Sequence, residues 1–185
     1  HHPSDELLLE SALPKLMSDW SPDGRFLLTH DTMTLSVLPL TGDRKPKPVY
    51  SSSFIKDAYH LSPDGHLIAY GELRDAKWEV FVASFPAFQD TKQVSGVGGA
   101  QPRWRGDGRE IFYLSLDNKI MAVPVEAVPT FHAGTPAALF AVHPALGTVY
   151  DVSADGKRFL VNSLPADQGS PPLSLLVHWT GLVKN

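Results

Sequence analysis

Four residues of this chain carry the groups a polar site needs, and they recur at one position. Asp19, His60, Arg103 and Asp151 each stand four places before the aspartate of an Asp-Gly pair. Two carboxylates, an imidazole and a guanidinium on one ring would form a layer of mixed sign. That layer could hold a polar ligand through charge-assisted hydrogen bonds, or tie neighbouring units together through pairs such as Arg103 with Asp151. A second set, Lys15, Asp57, Arg74 and Asp117, falls in segments between strands. Loop residues displayed by a rigid scaffold are binding candidates.

Other chemistries find less support. Catalysis by serine needs a positioned base and an orienting acid, and neither a Gly-x-Ser-x-Gly elbow nor any other nucleophile signature occurs; Ser51-Ser52-Ser53 sits in a loop context. No catalytic residue is expected. The run Gly96-Val97-Gly98-Gly99 is followed by strand-forming sequence rather than a helix, so it lacks the helix N-terminus that holds phosphate. The histidines His30, His60, His66, His132, His143 and His178 are scattered without short-range ligand spacing. No metal and no cofactor is expected. With no cysteine in 185 residues, thiol catalysis and zinc-thiolate sites are excluded. The net charge of −4 comes without a basic run, so nucleic acid is not expected as a partner. No apolar run reaches the roughly 20 residues of a membrane span.

What must position these residues is a repeat. The aspartates of Trp20-Ser21-Pro22-Asp23-Gly24, Leu61-Ser62-Pro63-Asp64-Gly65, Trp104-Arg105-Gly106-Asp107-Gly108 and Val152-Ser153-Ala154-Asp155-Gly156 stand 41, 43 and 48 residues apart. That period is the length of a four-stranded propeller blade. In each motif (21–24, 62–65, 105–108, 153–156), Asp bonds its own downstream backbone and Gly supplies positive φ, predicting a tight turn between two strands. Third strands are predicted at Thr34 to Leu38, Trp78 to Ser84, Lys119 to Val123 and Leu173 to Trp179. Outer strands are predicted around Pro48 to Ser51, Thr91 to Ser95 and Ala137 to Ala141.

The fold class expected is therefore an all-β propeller of four-stranded antiparallel blades, with four blade equivalents over residues 6–185. Residues 1–5 read as a tag remnant or disordered start. The last repeat lacks a strand, while Leu7 to Leu9 precede the first with nothing beside them. Pairing of Leu7 to Leu9 with Leu173 to Trp179, in this chain or another, would complete sixteen strands and remove open edges. A homodimer closing an eight-bladed ring, closure within one chain, and origin in a longer propeller all fit this count. Trp20 and Trp104 are expected to be buried, each costing about 3–5 kcal/mol on truncation to alanine.

These motifs resemble the TolB-type, WD-like propeller repeat. With Val37-Leu38-Pro39-Leu40, Met121-Ala122-Val123-Pro124-Val125, Tyr150-Asp151-Val152-Ser153 and His178-Trp179-Thr180-Gly181-Leu182, nearly the whole chain resembles the C-terminal propeller of bacterial serine/threonine protein kinases. That resemblance implies a non-catalytic sensor or docking domain outside the cytoplasm. A protein, peptide or small ligand would meet it at the channel mouth, near Met17, Ala58 and Gln101. The third and fourth repeats depart from the pattern by losing the turn proline.

Overall fold

The computed structural model describes residues 7–11, 14–127, 130–145, 147, 149–163 and 173–177. Strands β1 (Leu16–Trp20), β2 (Phe26–His30), β3 (Thr34–Pro39) and β4 (Lys47–Ser51) form the first antiparallel blade in chain order. β5 (Lys56–Leu61), β6 (Leu67–Arg74), β7 (Lys77–Ser84) and β8 (Lys92–Gln93) form the second. The third holds β9 (Ala100–Trp104), β10 (Glu110–Leu114) and β11 (Lys119–Glu126), with both β12 (His132–Ala133) and β13 (Ala137–Ala141) on the outer edge of β11. β14 (Tyr150–Val152), β15 (Arg158–Asn162) and β16 (Leu173–Val177) form the fourth.

Four blades are thus where the repeat places them, but the strands are distributed differently. The extra strand lies at the outer edge of blade three, and blade four has three strands among the described residues. Leu7–Leu9 make no strand pairing, and Leu7 is 76% exposed. Three consecutive leucines carry no alternation to choose a face, so nothing sets a register for them. Trp179, the last residue of the expected partner strand, and residues 1–5 lie outside the described residues.

The Asp-Gly turns are self-contained clamps. In three of them the serine hydroxyl donates to the aspartate: Ser21 to Asp23 at 2.8 Å, Ser62 to Asp64 at 2.6 Å and Ser153 to Asp155 at 2.5 Å. The same hydroxyl accepts the N–H five residues on, from Phe26, Leu67 and Arg158. Each aspartate accepts the N–H two residues on, from Arg25, His66, Arg109 and Lys157. In blade three Arg105 replaces the serine and closes the turn by an ion pair to Asp107. The proline lost from the third repeat has a cause. Gly106 donates its N–H to the Ala154 carbonyl at 2.8 Å, and a Cβ at Gly106 would lie 2.7 Å from that oxygen. Proline there would have no N–H to give and no room for its ring.

The apolar core is three seams, each between successive blades. Leu28 and Leu35 of blade one pack with Tyr59, Ile68, Tyr70 and Phe81 of blade two. Ala69, Val80 and Val82 of blade two meet Ile111, Tyr113 and Val123 of blade three. Phe112 and Ile120 of blade three meet Tyr150, Phe159 and Val161 of blade four. Blade faces alternate along each strand, so β6 sends Ile68 and Tyr70 one way and Ala69 the other.

One polar network interrupts the first seam. The Lys56 ammonium, on β5, pairs with the Glu72 carboxylate of β6, and both side chains are only 2% exposed. Lys56 also donates to Ser52 at 2.8 Å and stands over the rings of Tyr50, Phe54 and Tyr70. Arg74 pairs with the other oxygen of Glu72 and stacks 4.3 Å above Phe81.

Candidate functional site

The first strands of blades one, two and three carry a bulge just before the residue expected to line the channel, while β14 pairs with β15 in regular register. The β1–β2 register slips between Met17 and Asp19, the β5–β6 register between Asp57 and His60, and the β9–β10 register between Ala100 and Arg103. Ala58 and Gln101 take φ of +54° at the bulge, a left-handed conformation uncommon for residues with a Cβ. Bulges of this kind re-aim the next side chain, and in these three blades they precede Asp19, His60 and Arg103.

The four sequence-predicted residues come together as two contacts. Asp19 accepts the Leu61 N–H at 2.8 Å, and its carboxylate lies 3.7 Å from His60 Nδ1. Arg103 Nε lies 3.6 Å from Asp151 Oδ1, with the guanidinium 5.8 Å over the Tyr150 ring. The halves feel each other: the charges of Arg103 and Asp151 both act on His60. Asp19 and Arg103 therefore serve the inter-blade ties, while Asp151 keeps its side chain 71% exposed.

Burial is the main cause that lowers the His60 pKa from its ordinary 6.5, and the nearby Asp19 carboxylate opposes it. The imidazole is thus favoured neutral in the fold. A depressed histidine pKa means that its contribution to stability is intact above about 6.5 and declines as pH falls through the folded value. The titration of His60 followed by NMR is expected to show a midpoint below 6.5, moved lower still by Asp19→Asn. A midpoint above 6.5 would contradict this environment.

The second set does not form one cluster; each member has its own partner. Lys15 pairs with Asp31 at 2.6 Å and holds that carboxylate down to about 2. Asp117 pairs with Lys119 at 2.6 Å, which lowers its pKa, and also accepts from the Ser115 hydroxyl. Arg74 belongs to the Glu72 network. Asp57 is bound to a residue the sequence reading left aside: His30 Nε2 lies 3.2 Å from its carboxylate, which lowers the Asp57 pKa. His30 Nδ1 in turn sits 2.7 Å from the Ser18 hydroxyl. Ser18, His30 and Asp57 thus form a serine–imidazole–carboxylate chain between blades one and two. Twelve and twenty-seven residues separate its members along the chain, so no local motif marked it. Gln101, expected at the channel mouth, instead donates to the Gly147 carbonyl and accepts from Val149, both at 2.9 Å, stitching blade three to blade four.

A cavity of about 1050 Å³ lies on the opposite face, among the Asp-Gly turns of blades two and three. Pro63 and Trp104 give it an apolar wall, and Asp107, Arg109, Glu126 and His132 give it charge. Among the described residues no group of three or more histidines, aspartates or glutamates is arranged to hold a metal ion. No helix among them is long and apolar enough to cross a membrane.

No protein-family model matches the chain, and no curated protein sequence matches it. Solved structures do. The chain is similar to TolB from Acinetobacter baumannii, with a TM-score of 0.69 at 16% identity, over 92% of this chain and 43% of that one. It is also similar to a puromycin-hydrolysing peptidase of Mycobacterium tuberculosis, TM-score 0.61 at 19% identity, over 85% of this chain and 28% of that one. For the tricorn protease the values are 0.58 and 13%, over 90% and 17%. The chain spans less than half the length of each. These likenesses carry the fold, a β-propeller of four-stranded antiparallel blades.

Proposed function

We propose that this chain is a non-catalytic binding propeller that takes a polar or charged group of a protein, peptide or small ligand at the layer of Asp19, His60, Arg103 and Asp151. The observation that supports this reading is that the four equivalent positions meet as two contacts, Asp19 with His60 and Arg103 with Asp151, and leave one carboxylate exposed. Asp151 is the group that meets the ligand, and Arg103 beside it is the second contact. Lys15, Asp57, Arg74 and Asp117 flank the mouth as partner-facing surface. The resemblance of the repeat to kinase-linked propellers supports a sensor or docking role in a receptor-like bacterial serine/threonine kinase, placed outside the cytoplasm. The test is to pan a displayed peptide library on the immobilised chain. Peptides retained by the wild type are expected to bind Asp151→Asn and Arg103→Gln at least about tenfold more weakly, the equivalent of about 1.4 kcal/mol. Undiminished binding by both variants places the site elsewhere.

A hydrolase is the competing reading, favoured by the Ser18–His30–Asp57 chain and by likeness to structures named as peptidases. In that chain the hydroxyl meets Nδ1 of an imidazole that is itself buried. A fluorophosphonate that labels Ser18, and fails on His30→Gln, would replace the binding reading with this one.

A further inference from the structure

Trp104 is the wedge of blade three, three places before the turn aspartate and packed in the seam with blade two. Its counterpart in blade one, Trp20, is 60% exposed. Trp104 is half-buried, and its indole N–H is spent on the His60 carbonyl of the preceding blade at 3.1 Å. What it leaves to the cavity of the turn face, about 1050 Å³ in volume, is ring carbon. Pro63 of the blade-two turn and Pro124 of β11 extend that apolar wall. The volume stands at the upper end of small-molecule sites, which run to about 1,000 Å³.

The polar groups around this cavity divide into those already used and those left over. Asp107 is closed onto Arg105, and Asp64 holds the Ser62 hydroxyl and the His66 N–H. Arg109, Glu126 and His132 line the same cavity and are exposed. Among the described residues none of these three side chains has a hydrogen bond or an ion pair. Glu126 and His132 stand directly opposite each other on β11 and β12. A cation, an anion and an imidazole, all unpaired, thus border one cavity with an aromatic wall.

This lining selects among ligands. An anion would meet the Glu126, Asp64 and Asp107 carboxylates, and a cation would meet Arg109. An extended peptide adds to a sheet through free main-chain groups, but β12 already covers the β11 edge at Val125 and Glu126. Gly106, Gly108, Arg109 and Gly134 spend their N–H groups inside the fold, while Pro63 and Pro124 have none. Recognition therefore falls to side chains. A neutral hydroxyl both donates and accepts, so a ligand rich in hydroxyls satisfies carboxylate, guanidinium and imidazole at once. The C–H face of a sugar ring suits the partial negative charge on an indole face. We propose that this cavity binds a neutral oligosaccharide, one ring lying on Trp104 and the hydroxyls of its neighbours shared among Arg109, Glu126 and His132. The site lies on the face away from the layer of Asp19, His60, Arg103 and Asp151, and does not depend on the ligand reading given above.

An array of immobilised neutral oligosaccharides, with lysine-rich and phosphorylated peptides beside them, tests this on the complete chain. Retention on one class of oligosaccharide is expected, followed by calorimetry with that sugar free in solution. Glu126→Ala and Arg109→Ala each weaken the binding by about tenfold, the loss of a hydrogen bond to a charged group. Both side chains are exposed, so the circular dichroism and the urea midpoint stay unchanged. The Trp104 indole resonance shifts as the sugar is added. An array on which no oligosaccharide is retained overturns the proposal, as does a preference for either class of peptide. Binding that both variants keep in full overturns it too. Binding that Arg103→Gln and Asp151→Asn abolish belongs to the channel layer and removes the assignment to this cavity.

Discussion

Replacing Glu72 by alanine is expected to cost about 3–5 kcal/mol of stability, measured as a lowered midpoint of urea unfolding. The change leaves the Lys56 ammonium in the first seam, 2% exposed, with the Ser52 hydroxyl and three ring faces but no counter-charge. Breaking a buried pair by removing one partner costs this much because an uncompensated charge remains, and a desolvated ring face returns only about 2 kcal/mol of it. Lys56→Met is expected to cost less, since Arg74 still holds Glu72 and is itself half-exposed. Lys56→Met combined with Glu72→Leu should recover most of what Glu72→Ala loses, because apolar replacement of a whole buried pair is often neutral or stabilising. A Glu72→Ala protein within about 1 kcal/mol of wild type would show that the pair is not held as described.

Phe159→Ala is expected to cost about 3–5 kcal/mol, the range for a fully buried phenylalanine. Phe159 is 0% exposed and is the hub of the last seam: Phe112 and Phe140 meet its ring edge-on at 5.1 and 5.2 Å, and Tyr150 lies tilted at 6.3 Å. Edge-to-face pairs add to the area they bury, so the loss should fall toward the upper part of that range. Trp20→Ala in dilute solution is the contrast, within about 0.5 kcal/mol as for other exposed positions. An equal loss for the two replacements in thermal or urea unfolding would overturn this account of where the core sits.

The contrast between Phe159 and Trp20 shows what was legible in the sequence. The turn motif encodes its own geometry, since donor, acceptor and positive φ all lie within five residues, so the strand borders near Asp23, Asp64, Asp107 and Asp155 follow from it. Period-two alternation marked the strands, and the repeat gave Asp19, His60, Arg103 and Asp151 equivalent positions, which meet as two pairs. Trp20 was expected to be buried because Trp104 is its counterpart. Yet burial of a wedge is decided by the blade before it, which no pattern within the repeat records. The same holds for Lys56 with Glu72 and for Ser18 with His30 and Asp57, whose partners belong to different strands at no fixed spacing. Leu7–Leu9 do not pair within the chain, because apolarity without alternation suggests a strand but names no partner.

Among the described residues each seam is built by two successive blades. Energetically the domain is then a short row of coupled units, each answerable only to the units beside it. Through these seams a change in blade one reaches blade four by way of the two between them. Blades in such a row are free to diverge in whatever their own neighbours tolerate, and the only text they must keep in common is what each needs in isolation. The four turns read that way: proline survives in two, serine in three, and aspartate with glycine in all four.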